Sequence, residues 1–214
     1  MSQSSEPKSL ELPDWDLIYR QGRPPWETGL PAGELVRIVE KGVIPFGTTL
    51  ELGCGTGADA VYLARRGFEV TAVDFAPTAL ERARNRAQME GVPIRFVLDD
   101  VFEFAPTAGQ FDFVYDGGFY HFVRQVDLAR FLDMLWRVTH PGSFYLALIG
   151  GTAEDVDGWP PGVTEHEIRF ELARLFDFVR LRPCRIDSPD KPKGYRGWSC
   201  LMKRPEGFQK VSPK

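Results

Sequence analysis

Apolar positions along this 214-residue chain switch repeatedly between two spacings, and the switching predicts the architecture. Short apolar runs at residues 48–52, 69–74, 94–98, 111–115 and 144–149 read as strands of a sheet covered on both faces. Between them, apolar residues fall three and four apart. Leu35, Val36 and Ile38 mark a helix over residues 31–41 that ends at Gly42. A second helix runs over residues 58–66 and stops at Gly67, and a third starts at Pro77 and closes at Gly91. Leu128, Phe131, Leu132, Leu135, Trp136 and Val138 repeat at helical spacing before Pro141-Gly142 turns the chain into the fifth strand. Strand and helix in alternation predict an α/β fold with a doubly wound, mainly parallel sheet. Thr164, with Glu167 three residues on, forms a capping box for a last helix. Residues 176–186 and 198–203 then read as two extended stretches joined by a Pro-, Lys- and Gly-rich loop over 187–197. Residues 1–10 and 206–214 are polar and read as disordered tails around a single domain over 11–205.

One stretch adds chemistry to this pattern. Leu50-Glu51-Leu52-Gly53-Cys54-Gly55-Thr56-Gly57 reads as a strand end and a glycine-rich turn opening a helix, and the next strand ends on Asp74. Glycines let the main chain approach a ligand closely, and a carboxylate about twenty residues on can accept both hydroxyls of a ribose. A nucleoside-containing cofactor is expected. Gly53-x-Gly55-x-x-Ala58 also satisfies the dinucleotide fingerprint, and such a turn can be no more than a tight turn. Charge separates the readings. A pyrophosphate favours helix N-terminal amides with no carboxylate nearby, whereas S-adenosylmethionine (SAM) carries an ammonium and a sulfonium that suit Glu51.

Glu51-x-Gly53-x-Gly55-x-Gly57 resembles the first motif of class I SAM-dependent methyltransferases, a likeness that extends over roughly residues 14–204. The resemblance implies a Rossmann-like, seven-stranded, mainly parallel sheet closed by a C-terminal antiparallel hairpin. It places Glu51, Gly53 and Gly55 at the methionine portion, Asp74 at the ribose, Phe75 beside the adenine, Asp100 at the adenine amino group and the Val101 amide at the ring. Asp116, after the fourth strand, falls nearest the transferable methyl. Acids end four successive strands, which solvation alone does not require; Asp99 reads as merely solvated.

The segment from Asp14 to Gly29, with Trp15, Tyr19 and the Pro25-Trp26-Glu27-Thr28-Gly29 run, resembles the N-terminal segment of thiopurine and halide/thiol methyltransferases. The likeness makes residues 11–45 a lid whose rings, Trp15, Tyr19 and Trp26, fold over SAM. An aromatic face attracts a cation by about 0.5–2 kcal/mol. Trp15 and Tyr19, four apart, also read as the core stripe of a helix.

A formal net charge of −4 and the lack of a basic run argue against a nucleic-acid partner. Cys54, Cys184 and Cys200 show no metal-ligand spacing and no even disulfide framework. No signal peptide or membrane span is legible, so a cytoplasmic enzyme is expected, a monomer or weak dimer acting on a small molecule. After the fourth strand, Asp116-Gly117-Gly118-Phe119-Tyr120-His121-Phe122 lacks the Asn/Asp-Pro-Pro-aromatic signature of amino-directed methyltransferases. Tyr120 and His121 are the catalytic candidates, as an orienting group and a base. The Trp159-Pro160-Pro161-Gly162 loop is expected to cover the substrate. A thiol or halide acceptor, needing little base, is favoured. An oxygen or nitrogen acceptor with His121 as base is the alternative, and a non-catalytic SAM-binding protein is the alternative of another class.

Overall fold

The computed structural model describes residues 13–104, 106, 109–151 and 162–207. The expected N-terminal tail, residues 208–214 of the other tail, and Trp159, Pro160 and Pro161 lie outside the described residues.

Two helices lead in, α1 (Trp15–Arg20) and α2 (Gly33–Glu40), followed by β1 (Thr48–Leu52), α3 (Ala58–Arg65), β2 (Glu69–Asp74), α4 (Pro77–Glu90) and β3 (Arg95–Leu98). Then come β4 (Phe111–Asp116), α5 (Tyr120–Val138), β5 (Thr139–Gly150), α6 (Glu165–Leu172), β6 (Asp177–Ser188) and β7 (Lys191–Lys203). The strands form one seven-stranded sheet in the order β3-β2-β1-β4-β5-β7-β6. Pairs among β1 to β5 are parallel, and β7 runs antiparallel between β5 and β6. The strand order reverses between β1 and β4, and sheets of this kind bind ligands beyond the strand carboxyl ends at that switch point.

Alternation along the strands explains the two cores. Leu50, Leu52, Val114, Tyr145, Ala147 and Ile149 point to the face covered by α5 and α6. Val70, Ala72, Phe113, Tyr115, Leu146 and Leu148 point to the other face, against α2, α3 and Leu80 of α4. β2, β4 and β5 are therefore apolar on both sides, whereas β1 turns Thr49 and Glu51 to the second face and β3 is only partly buried.

Two elements differ from the expectation. The helix expected from Leu128 begins eight residues earlier, at Tyr120, and bends at Asp127, whose φ of −159° and ψ of 89° break the helix. Asp127 Oδ1 accepts the Arg130 amide at 2.9 Å, capping the second half. The loop expected over residues 187–197 is mostly strand: β6 and β7 pair out to Ser188 and Lys191. Proline is tolerated here, because Pro183 sits on β6, the edge strand of the sheet, and Pro192 on the part of β7 that runs beyond β5.

Candidate functional site

The carboxyl ends of β1, β2 and β4 open on a cavity of about 680 Å³. Its floor is the turn from β1 into α3, where Gly53 and Gly55 hold φ of +62° and +52°. A Cβ on Gly55 would stand 2.7 Å from the Tyr19 hydroxyl, and one on Gly53 would stand 2.8 Å from the Phe119 ring. Glycine is required twice over, by conformation and by space. Asp74 holds this turn in place: Oδ2 accepts the Gly55 amide at 2.8 Å and Oδ1 the Ala76 amide at 2.9 Å. Burial pushes the Asp74 pKa up, against the pull of those amides. Phe75, Asp100 and Val101 line the side of the cavity beyond β2 and β3, with the Phe75 ring half exposed; Asp99 is not part of the lining.

On the opposite side the floor is acidic. Glu51 is 3% exposed, and its Oε2 has no hydrogen-bond partner among the described residues. Asp59, in the first turn of α3, accepts the Ala32 amide at 2.7 Å and the Tyr115 hydroxyl at 2.8 Å. Burial raises the Asp59 carboxyl to about 6. It raises Glu51 well above the usual carboxylate range, with Asp59 and Asp74 adding to the rise. A buried carboxylate oxygen without a donor calls for a proton or a cation. Asp59 and Tyr115 were not legible as site residues. The one local signal was an acid at a helix start, where the dipole favours negative charge.

The roof is aromatic. Trp15 meets Trp26 edge to face at 5.4 Å between centroids and Phe122 at 5.0 Å, and Tyr19 meets Trp26 at 6.2 Å. Trp26 Nε1–H donates to the Tyr19 oxygen at 3.3 Å. Trp15 and Tyr19 share a face of α1, and that face is cavity wall. The loop carrying Trp26 is tied to the floor: Glu27 accepts the Thr56 hydroxyl, and Arg86 donates to the carbonyls of Thr56 at 3.0 Å and Gly29 at 2.9 Å. Arg82 holds the carbonyls of Tyr19 at 2.7 Å and Gly22 at 2.8 Å. These anchors on α4 have no signature in the sequence, because each joins residues about thirty to sixty positions apart.

Two expected site residues stand elsewhere. Asp116 is fully buried outside the cavity lining, and four donors saturate it. Its Oδ1 accepts the amides of Gly118, Phe119 and Tyr120 at 3.0, 2.7 and 3.2 Å, and Oδ2 accepts the Tyr145 hydroxyl at 2.7 Å. It secures the turn into α5, and the expected place beside the cavity is not where the structure puts it. Tyr120 also turns into the core, where its hydroxyl donates to Glu171 at 2.5 Å beside the Arg124 guanidinium. It ties α5 to α6 and cannot orient a ligand in the cavity. His121, one residue on and about 100° around the helix, does line the cavity. Its Nδ1 accepts the Gly150 amide at 3.2 Å, and burial lowers its pKa to about 3.

A turn of alternating glycines, a buried acid with an unpartnered oxygen, a strand-end carboxylate and an aromatic roof suit a ligand that carries cationic groups, a ribose and a purine. Comparison with known proteins agrees. A methyltransferase-domain family model matches residues 49–142. The chain is 31% identical over 168 residues to the 2-heptyl-1-hydroxyquinolin-4(1H)-one methyltransferase of Mycobacteroides abscessus, a match covering 77% of this chain and 73% of that protein. It is 28% identical over 173 residues to the probable thiol methyltransferase 2 of Arabidopsis thaliana, covering 76% of each. A solved structure from a study of the conversion of a disulfide bond into a thioacetal group during echinomycin biosynthesis superposes with a TM-score of 0.78. It is 26% identical and covers 90% of this chain and 92% of the other. The chain belongs to the class I SAM-dependent methyltransferases, enzymes that here act on a small molecule.

Proposed function

We propose that the acceptor is a soft nucleophile, a thiol or a halide, methylated by direct in-line transfer. The observation that carries this reading is that the end of β4 offers no free carboxylate to the reacting centre: Asp116 is saturated by four donors and Tyr120 is turned away. An acceptor that is already ionised at neutral pH needs no such base, and a thiol near pKa 8.5 supplies thiolate. The thiol methyltransferase relative supports the same direction.

In this reading Glu51 faces the SAM ammonium, Asp74 the ribose, Phe75 and Val101 the adenine ring, and Asp100 its amino group. Bound SAM would supply an electrophilic methyl on a sulfonium. The chain's own part is to exclude water and set direction: Trp15, Tyr19 and Trp26 roof the cationic region, and Gly53 and Gly55 let the main chain close against it. Residues 11–45 act as the lid of a domain over 11–205 that works in the cytoplasm as a monomer or weak dimer. A second reading, an acidic hydroxyl acceptor, is favoured by the hydroxyquinolinone methyltransferase relative.

The test is a labelled-SAM screen over thiols, iodide, phenols and amines. Turnover of thiols or iodide above the others is expected, and turnover confined to amines would overturn the proposal. Titration calorimetry with SAM on Asp74→Ala checks the site: a loss of at least about tenfold in affinity is expected, since one charge-assisted hydrogen bond is worth about that much. Unchanged affinity would remove Asp74 from the ribose.

A further inference from the structure

His121 is 4% exposed, on the first turn of α5, and its ring lies 4.3 Å from that of Phe122. The Gly150 amide points at Nδ1 from 3.2 Å, and a backbone N–H can only donate, so Nδ1 must be the bare nitrogen. Gly150 is itself fixed. It pairs with Gly197 across β5 and β7, and its carbonyl accepts the Val163 amide at 3.1 Å. The proton of the neutral ring therefore sits on Nε2, which has no hydrogen-bond partner among the described residues although the ring lines the cavity. Across the cavity, Arg185 and Arg196 are register partners on β6 and β7, so their side chains leave the same face of the ribbon.

We infer that His121 is a hydrogen-bond donor to the acceptor, not its base: Nε2–H meets an acceptor that arrives as an anion, a thiolate, halide or acidic oxyanion. This rests on the proposed small-molecule reading and deepens it by naming the charge state of the substrate. The enzyme selects acceptors by their own acidity and removes no proton from them. In the transfer, a lone pair of the acceptor forms the new bond to the methyl carbon as the carbon–sulfur bond breaks, and its electron pair stays on sulfur. The acceptor's proton has already gone to solvent. To act as a base instead, the ring would have to abandon the Gly150 amide in a buried place, where an unpaired donor is costly. The ring's low basicity opposes that too.

Other titratable groups share the cavity: Tyr19 and Glu27 on the lid, Glu34 on α2, Glu51 on β1, Cys54 in the turn after it, Asp59 on α3, Asp74 on β2, Asp100 after β3, Tyr115 on β4, Asp127 and Arg130 on α5, and Arg185, Asp187, Tyr195 and Arg196 on the ribbon. Their effects on a pH profile are common to all acceptors. The deciding experiment therefore measures kcat/KM against pH for a series of aryl thiols of graded acidity, or of hydroxy-heteroaromatics should only those turn over. The ascending, acid-side limb of the profile is expected to move unit for unit with the acceptor's own pKa; an acid-side limb that stays fixed, or a descending limb that moves instead, overturns the proposal. A second readout needs no turnover. Nitrogen-15 NMR of the unliganded chain, assigned with His121→Gln, is expected to show a neutral Nε2–H ring down to about pH 5. A ring that titrates above that, or carries its proton on Nδ1, overturns the proposal even if every thiol and halide fails as a substrate. Gln keeps an N–H near the Nε2 position. His121→Gln is therefore expected to retain more activity than His121→Ala, the latter losing about 10- to 100-fold as one hydrogen bond to a charged group; equal losses count against it.

Discussion

Gly55 shows how one residue without a side chain connects turn, lid and ligand. Gly55→Ala is expected to cost about 1–2 kcal/mol in stability, from a left-handed backbone and a methyl forced against the Tyr19 hydroxyl, and to weaken SAM binding. Thermal unfolding and calorimetry read the two effects. Asp59 makes a pH prediction of a definite sign. Its folded-state pKa is raised from 3.8 to about 6, so its contribution to stability is full below about pH 4 and is lost as the pH rises through 6. Asp59→Asn keeps the geometry, with its carbonyl toward the Ala32 amide and its amide toward the Tyr115 oxygen. The unliganded variant is expected to be more stable at pH 7, by about 1 kcal/mol, with a flatter profile between pH 4 and 7. At this scale the sequence was legible where the chemistry is local. Gly53, Gly55, Glu51 and Asp74 sit within one strand–turn–helix–strand unit, and their spacing already encodes their meeting. Asp116 was misplaced because an acid at a strand end has two outlets, the ligand or the next helix. The Gly117-Gly118 turn that bends three amides back onto it settles the matter only in three dimensions.

Among the elements, α5 carries the most information that composition concealed. Its first half, residues 120–126, is rich in aromatic and β-branched residues that form helices poorly, so nothing in its periodicity announces a helix. What holds it is tertiary. Asp116 caps its start, and Arg124 and Tyr120 converge on Glu171 of α6. Glu171→Ala is expected to destabilise the chain by about 1–3 kcal/mol, since it removes the acceptor of the Tyr120 hydroxyl and leaves Arg124 with Glu167 alone. Tyr120→Phe is expected to lose about 1 kcal/mol and to keep its turnover number, because the hydroxyl serves the helix pair and not the reaction. A turnover number lowered tenfold or more, with folding intact, would return Tyr120 to the chemistry. The ribbon of β6 and β7 was hidden for a different reason: lysine, proline and glycine depress strand propensity, yet a two-stranded extension beyond the main sheet tolerates them.

For the molecule as a whole, the parallel half of the sheet was readable because each strand announces itself by its own buried run. Which strands are neighbours, and where the cavity opens, depend on crossovers that no local pattern contains. No helix among the described residues is long and apolar enough to cross a membrane. The ribbon reaches back to the beginning of the chain. Asp187 accepts the Gly33 amide at 2.8 Å, and the Ser188 hydroxyl donates to the Pro25 carbonyl at 3.4 Å. Early and late segments thus clasp each other at the mouth of the cavity. During synthesis, the glycine turn and its carboxylates can form as soon as β1 to β4 have emerged, but the contacts to Gly33 and Pro25 wait until residues 187 and 188 leave the ribosome. A nascent chain halted short of them would own the machinery for holding a nucleoside but lack the last ties that fasten its cover.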